Sequence, residues 1–496
     1  MTVDVEVPIN RETALVDPLS SLSKPLVVPL GSRSYSKQFA QLYDYRLSYL
    51  KKRVLPRAHR KWSQAQPSSS SESQSQSQSQ SQSQSLDSSQ QAAEQPRFVD
   101  RILDIQAGEV CYIVGNLYCA MPLKPDVLEE ITREQWLAPQ PPRSKFVDYE
   151  KDELFIEDQS GRVRLVGDAL KGGTSLRYKC ITGVVAAVLG TETKAGDFEV
   201  VDILFPGLPN ETKVEVGDQE GDVKMEDGPG DSWVALMSGL EIGGETGVEN
   251  EMKMQILTEW LTGELGEDEE RTSTSKITSV VIAGNSMPQP VRNEDEKQQK
   301  RFGQDIPAYS AAPTQALDRF LTDLCASMDV HLLPGEKDPA SVAIPQQPIH
   351  FALLPRAGRF ESLNRETNPT WFGLSGRKLL GTSGQNVDDI FKYLEGGDEM
   401  RLEIAAQILE YGHIAPTAPD TLWCFPFKVT DPFVIKAAPD IFFVGNQPSF
   451  ATALQENEHG HRTRIVLIPK FSSSGQVALV NLRTLECKCV EVATDV

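Results

Sequence analysis

The chain lacks any hydrophobic run approaching the roughly 20 residues that a membrane helix needs. Its longest, around Val184 to Leu189, falls far short. It also lacks a leader pattern: the opening Met-Thr-Val-Asp-Val-Glu-Val offers neither a basic start nor an apolar stretch, which argues against secretion. Cysteine is scarce. The seven, Cys111, Cys119, Cys180, Cys325, Cys424, Cys487 and Cys489, contain no CxxC step. Cys487 and Cys489 fall on one side of any strand, without partners at zinc spacing. An odd, scattered set reads as buried, reduced thiols of the cytosol or nucleus. Positive charge is short as well, with 49 Lys plus Arg against 70 Asp plus Glu and a net charge of -21. Such a surface repels phosphate backbones, so tight autonomous binding of duplex DNA would need a local basic patch. The expectation is a soluble intracellular protein, long enough at 496 residues for more than one domain.

What is present falls into segments. Residues 1–33, with prolines at 8, 18, 25 and 29, read as an extended, disordered N-terminus. Residues 34–62 hold a helix, from Ser36 to about Val54, that Pro56 should end. Phe39, Leu42, Tyr43, Leu47 and Leu50 recur on its apolar face. Lys51, Lys52, Arg53, Arg57, Arg60 and Lys61 crowd its end, either as cations at a helix C-terminus or as a DNA-facing or nuclear-import patch. Residues 63–96 are a Ser/Gln-rich linker with nothing to bury. Each Ser-Gln pair also suits kinases that prefer Gln after Ser.

Residues 97–206 carry short strands with Gly turns, a pattern that fits a Greek-key barrel of the OB type. Its exposed aromatics are few, so protein docking is favoured over stacking of single-stranded DNA. A proline-rich insertion, Gln140 to Lys145, is stiff enough to lie along another surface. Residues 207–231 are an acidic, Gly-rich connection. From 232 to 496 strands alternate with helices, as in an α/β sandwich.

Four strands in that last segment end in Gly-plus-polar loops, at Ser238-Gly-Leu240, Gly284-Asn-Ser286, Pro334-Gly-Glu-Lys-Asp338 and Gly445-Asn-Gln-Pro448. The pattern suggests one sheet with its loops gathered at one edge, where an α/β sheet presents its ligand site. The C-terminal runs Arg464 to Pro469 and Val477 to Leu482 read as a pair of strands joined by a Ser-Gly turn.

The stretches Leu379-Leu-Gly-Thr-Ser-Gly-Gln-Asn-Val-Asp-Asp-Ile390, Ile414-Ala-Pro-Thr-Ala-Pro-Asp-Thr-Leu422, Asp431-Pro-Phe433 and Phe443-Val-Gly-Asn-Gln-Pro-Ser-Phe450 resemble the B subunits of DNA polymerase delta, within the DNA polymerase alpha/delta/epsilon B-subunit family. So do Ala120-Met-Pro-Leu123, Gln140-Pro-Pro-Arg-Ser-Lys145, Leu333-Pro-Gly-Glu336 and Pro345-Gln-Gln-Pro348. The resemblance implies an α+β multidomain chain, an OB-type β-barrel joined to an inactive calcineurin-like phosphoesterase α/β sandwich. It implies a non-catalytic nuclear subunit with no cofactor. The implied partners are the cysteine-rich C-terminal module of the polymerase's catalytic chain and a third, extended, clamp-linked subunit, with DNA met only through the complex and no membrane. The Gln140–Lys145 and Ile414–Phe427 regions are the candidate contacts.

An active phosphoesterase of that fold clamps phosphate with two metals through carboxylates and imidazoles in the strand-end loops. Here Ser238 and Leu240 stand where the resemblance implies Asp and His. Asn285 replaces the bridging carboxylate, Lys337 stands at the catalytic His, and Asn446 and Pro448 replace the last His pair. Glu336, Asp338, His350 and His413 remain as possible donors. They leave one flank of a two-metal clamp empty, and both histidines read as hydrogen-bonded core residues. Leu380 to Gln385 resembles a phosphate loop without the Gly-Lys-Ser/Thr that would make it one, and reads instead as a tight polar turn. Two alternatives compete with the scaffold: an active metal-dependent nuclease or phosphodiesterase, and an autonomous single-strand DNA binder acting through the barrel.

Overall fold

The computed structural model describes residues 9–34, 38–63, 95–125, 143–210, 231–244, 247–289 and 311–494. The Ser/Gln tract and most of the acidic connection lie outside the described residues. The chain divides into two compact units. One comprises residues 43–140 and 146–207, and the other residues 1–42, 141–145 and 208–496.

The smaller unit is a closed barrel. Its strands are β2 (Arg97–Phe98), β3 (Val110–Ala120), β4 (Glu153–Glu157), β5 (Arg162–Val166), β6 (Val185–Glu192) and β7 (Phe198–Leu204). They run in the order β2-β3-β4-β5-β7-β6, and β6 returns to pair with β3. Closure depends on β3, which pairs with β6 through Val110–Asn116 and with β4 through Asn116–Ala120. Gly115 sits at the switch: a Cβ there would lie 2.5 Å from the Glu157 carbonyl oxygen, so only glycine lets the strand bend that tightly.

Helix α1 (Ala40–Trp62) docks on this barrel and runs straight through Pro56. The expected stop fails because Pro56 is exposed while Leu47, Leu50, Val54, Ala58 and Trp62 continue the buried stripe past it. An interior proline costs a helix about 3 kcal/mol. Burying Trp62, whose ring meets Tyr112 at 5.3 Å and whose Nε1 donates to Asp202 at 2.9 Å, offsets a cost of that size. The basic residues of the helix are largely pinned to the barrel. Lys51 pairs with Asp100 at 2.8 Å and Lys61 with Asp202 at 2.7 Å, while Arg53 and Arg57 donate to the carbonyls of Gly207 and Phe205.

The larger unit holds two facing sheets. The first runs β1 (Val16–Asp17), β12 (Thr370–Leu374), β13 (Arg377–Thr382), β14 (Ile441–Gln447), β16 (Arg462–Pro469), β15 (Ala451–Glu456). The second runs β11 (Leu363–Arg365), β10 (Asp329–Leu333), β9 (Ile277–Ala283), β8 (Trp233–Met237), β17 (Gln476–Asn481), β18 (Cys487–Glu491). The period-two alternation of a strand divides the second sheet's side chains between two cores. Val234, Leu236, Val281 and Ala283 meet Phe372, Leu379, Phe443 and Val466 between the sheets. Ala235, Met237, Val280 and Leu332 pack beneath helices α2 (Gly247–Thr262) and α4 (Ala312–Cys325), with the short α3 (Asp268–Ser275) leading into β9.

Three expectations are corrected here. The N-terminal segment from Ile9 onward is ordered: β1 adds antiparallel to β12, Ala14 is buried between the sheets, and Arg11 donates to the carbonyls of Leu261, Thr274 and Ile277. An extended, proline-marked chain is well suited to cap a sheet edge. Next, β14 belongs to the first sheet whereas β8, β9 and β10 belong to the second, so the polar loops come from two sheets rather than one. Finally, β16 and β17 do not pair. They lie in different sheets, because β16 joins β14 and β15 while β17 joins β8 and β18.

Candidate functional site

Loops after β8, β9, β10 and β14 converge at the carboxyl ends of the parallel strands, as one face of a two-sheet sandwich brings them. Two glycines permit the approach. A Cβ on Gly284, whose φ is +83°, would lie 2.8 Å from Gly335 Cα. Asn285 and Asn446 both adopt left-handed backbone, at φ 54° and 57°, a conformation that Asn tolerates better than most residues.

Most of the polar side chains they carry satisfy one another, although the buried Ser286 hydroxyl has no partner among the described residues. Ser238 accepts the backbone N–H of Asn446 at 2.8 Å and lies 3.1 Å from the Pro469 carbonyl, to which its hydroxyl can donate. The Asn446 amide donates to the carbonyls of Ala283 and Ser383 and accepts from the Asn285 amide at 3.0 Å. The Asn285 oxygen in turn accepts the backbone N–H of Lys337. Lys337 reaches across to Glu241 at 2.5 Å, so its charge is neutralised by a carboxylate that sits immediately after Leu240.

Asp338 points inward and is clamped by backbone donors: Gly335 at 2.8 Å, Met287 at 3.0 Å and Ser286 at 3.2 Å. Burial raises its carboxyl above the ordinary range, against the pull of those amides. A second polar cluster adjoins the first. Asn368 donates to Gln346, Ser383 and Gln385, and its oxygen accepts the Ser383 N–H. Helix α5 (Gln385–Lys392) starts at this turn, with Gly384 at φ +103° as its N-cap.

The structure therefore brings together Ser238, Asn285, Lys337, Asp338 and Asn446. It does not bring Leu240, which is buried in the helix-side core, or Glu336 and Pro448, which are exposed. Among the leftover donors His413 is buried, with Nε2 2.9 Å from Asp431, whereas His350 is exposed and caps a short helical turn, contrary to the expectation of a core residue. Among the described residues no three His, Cys, Asp or Glu side chains converge as a metal-ligand set. The donors that line the site are amides, hydroxyls and an ammonium, and the inward carboxylate of Asp338 is already saturated by N–H groups. This set does not fit a pair of divalent cations, which need several anionic oxygens or imidazoles.

Sequence reasoning missed Glu241, Gln346 and Asn368. Only Glu241 carried a signal, as an acid at a strand-end loop. The other two amides arrive from residues outside the four loops. His331 was missed too: it is wholly buried on β10, stacked on Phe372 at 4.1 Å, with Nδ1 3.0 Å from Glu366.

Known families match both units. A family model that describes the B subunit of DNA polymerase alpha/epsilon matches residues 234–452, and one described as DNA polymerase delta subunit OB-fold domain matches residues 38–203. The chain is 38% identical over 402 residues to the DNA polymerase delta small subunit of Arabidopsis thaliana, covering 80% of this chain and 85% of that protein. It is 31% identical to the DNA polymerase delta small subunit of Saccharomyces cerevisiae, covering 98% of this chain and 95% of that protein. With DNA polymerase delta subunit 2 of Drosophila melanogaster the identity is 32%, over 98% of this chain and 99% of the other. The chain belongs to the DNA polymerase delta small-subunit family.

Proposed function

We propose that the chain is a non-catalytic accessory subunit of the replicative DNA polymerase delta, acting in the nucleus as a scaffold for replication and repair. Its larger unit is read as a calcineurin-like phosphoesterase sandwich that has lost its chemistry. The observation that carries this reading is the strand-end site itself. Where a two-metal hydrolase needs carboxylates and imidazoles, Ser238, Asn285 and Asn446 hydrogen-bond to one another and Lys337 is paired with Glu241. What these pairings leave over in the loops, such as the buried and unpartnered Ser286 hydroxyl, is no set of carboxylates and imidazoles for two cations. Such a body acts through its surfaces, which an obligate complex uses broadly.

By this reading the chain holds the cysteine-rich C-terminal module of the polymerase's catalytic chain and a third, extended subunit. Co-expression of the full chain with the catalytic chain tests it. A stable complex should co-purify, while the full chain alone should show no phosphodiester turnover with Mn²⁺ or Mg²⁺. Turnover that disappears on Asn285→Ala or Asp338→Ala would return the reading to a metal-dependent hydrolase. Failure to co-purify would remove the scaffold.

A further inference from the structure

We propose that the larger unit carries a binding site for a dianionic phosphate group, remote from the strand-end loops and built at the turns joining β15 to β16 and β17 to β18. A pocket of about 460 Å³ opens there, with Arg377, Arg462, Arg483, His459 and His461 in its walls beside the Asp440 carboxylate. In a chain with a net charge of -21, a wall of this sign is out of keeping with the overall balance.

The charges divide into engaged and available. Arg377 is engaged: its guanidinium donates to the carbonyls of Leu482 and Arg483 and to Asp440 at 3.2 Å. Asp440 is held by the same arginine and by the backbone N–H of Lys378 at 2.8 Å. Arg462 reaches Glu456 only at 3.4 Å, with both side chains more than half exposed (64% and 57%), a pair that contributes little in water. The Arg483 guanidinium and the His459 imidazole have no hydrogen-bond or ion-pair partner among the described residues. With Arg377 and Asp440 cancelling, the guanidinium charge of Arg483 remains, and that of Arg462 is held only by its exposed pair with Glu456.

The walls are held in advance of any ligand. Asn457 accepts the N–H groups of His459 and His461, both at 2.9 Å, and so fixes the first turn. Asn481 accepts those of Arg483 and Thr484 at 2.9 and 2.8 Å, and so fixes the second. Two guanidinium forks lining one pocket, one free and one in a weak exposed pair that an anion can displace, suit an anion with several oxygens, and a dianion gains more from both than a single carboxylate or one phosphodiester does. The class of ligand is therefore inorganic phosphate, pyrophosphate or a phosphomonoester borne on another chain.

Isothermal titration of the full chain with inorganic phosphate, pyrophosphate and a phosphoserine peptide, at matched ionic strength, tests the site. Saturable one-to-one binding is expected, weakened about tenfold or more by Arg483→Gln and by Arg462→Gln, since each removes charge-assisted hydrogen bonds. Arg319→Gln, on α4 and outside this pocket, should leave it unchanged. Tighter binding of pyrophosphate than of the peptide would name a free ligand, and the reverse a chain-borne one. Circular dichroism of the variants checks that both remain folded. No saturable binding, equal binding by the Arg483 variant, or an unphosphorylated acidic peptide binding as well as phosphate would overturn the proposal.

Discussion

Asn446 shows how one amide holds two sheets' loops together. Its side chain makes three hydrogen bonds, to Asn285, Ala283 and Ser383, in a buried setting. Asn446→Ala should destabilise the chain by roughly 2–4 kcal/mol, from the stranded Asn285 amide and the left-handed backbone that Ala tolerates poorly. Asn446→Gly keeps the backbone at ease, so it should recover about 1 kcal/mol of that loss. Urea unfolding, read as a shift of midpoint at constant slope, measures both. Equal stability of the Ala variant and the native chain would mean that the network contributes nothing.

Lys145 argues a pH dependence at the same scale. Its ammonium donates to the carbonyls of Phe391 and Leu394, at 2.8 Å each, at the C-terminus of α5. Unpaired carbonyls and the negative end of the helix dipole welcome a cation there. Burial nonetheless lowers its pKa to about 8, with Arg401 pushing the same way and Asp398 and Glu399 opposing. Between that value and the ordinary lysine value of about 10.4, the unfolded chain binds more protons than the folded one, so folding stability rises with pH across this window. Relative to Lys145→Met, the native chain should gain stability from about pH 8 to about pH 10.5 and show no difference in slope below pH 7. Parallel curves throughout would show that the lysine keeps its ordinary value in the fold.

Among elements, the N-terminal segment is where sequence and structure part most clearly. Strands β8, β9 and β10 were legible because each is a short apolar run stopped by Gly and polar residues, a purely local signal. Which sheet a strand joins is not local, and so the sequence misplaces β14 and the β16–β17 pair. Pro56 misleads for the same reason: the local penalty is real, and Trp62 packing against the barrel outweighs it. Residues 9–34 have prolines and little periodicity, yet Arg11 finds carbonyls of Leu261, Thr274 and Ile277, which are remote in sequence. At the strand-end site, the amides, hydroxyl and ammonium that the loops carry were legible in the residues themselves. The mutual pairing of Ser238, Asn285 and Asn446 arises only where loops of two sheets meet, and the capture of Lys337 by Glu241 only where the loops after β10 and β8 do, which no local signal specifies.

Arg11 gives that segment a test. Burial lowers the guanidinium's pKa to about 10, but it stays charged at neutral pH and donates to the buried backbone oxygens of Leu261, Thr274 and Ile277. Arg11→Ala should cost about 2–3 kcal/mol, since charge-assisted hydrogen bonds contribute roughly 1.5–3 kcal/mol. Deleting residues 9–28 should cost more and expose the β12 edge, with aggregation seen as light scattering near the unfolding transition. A deletion variant as stable and monomeric as the native chain would show that the segment only rests on the sheet.

For the whole molecule the deciding quantity is charge. A body with a net charge of -21 is repelled by a nucleic-acid backbone unless cations are concentrated and free. The run of cations on α1 has Lys51 and Lys61 paired with Asp100 and Asp202, and Arg53 and Arg57 bonded to barrel carbonyls. A protein that neutralises several phosphates loses affinity with salt at a slope near -0.9 for each contact on duplex DNA, and about -0.7 on single strands. Fluorescence anisotropy of the full chain with a labelled single strand and a labelled duplex should therefore give Kd values no tighter than about 10⁻⁴ M, even at low salt. A duplex slope of about -4 would mean four or more released counterions. In that case the exposed Lys52 and Arg60, joined by cations released from the barrel, meet the DNA, and Lys61→Ala together with Arg57→Ala should flatten the slope. If binding stays weak and the slope shallow, any DNA contact of this subunit must be arranged by its partners, because its own surface opposes it.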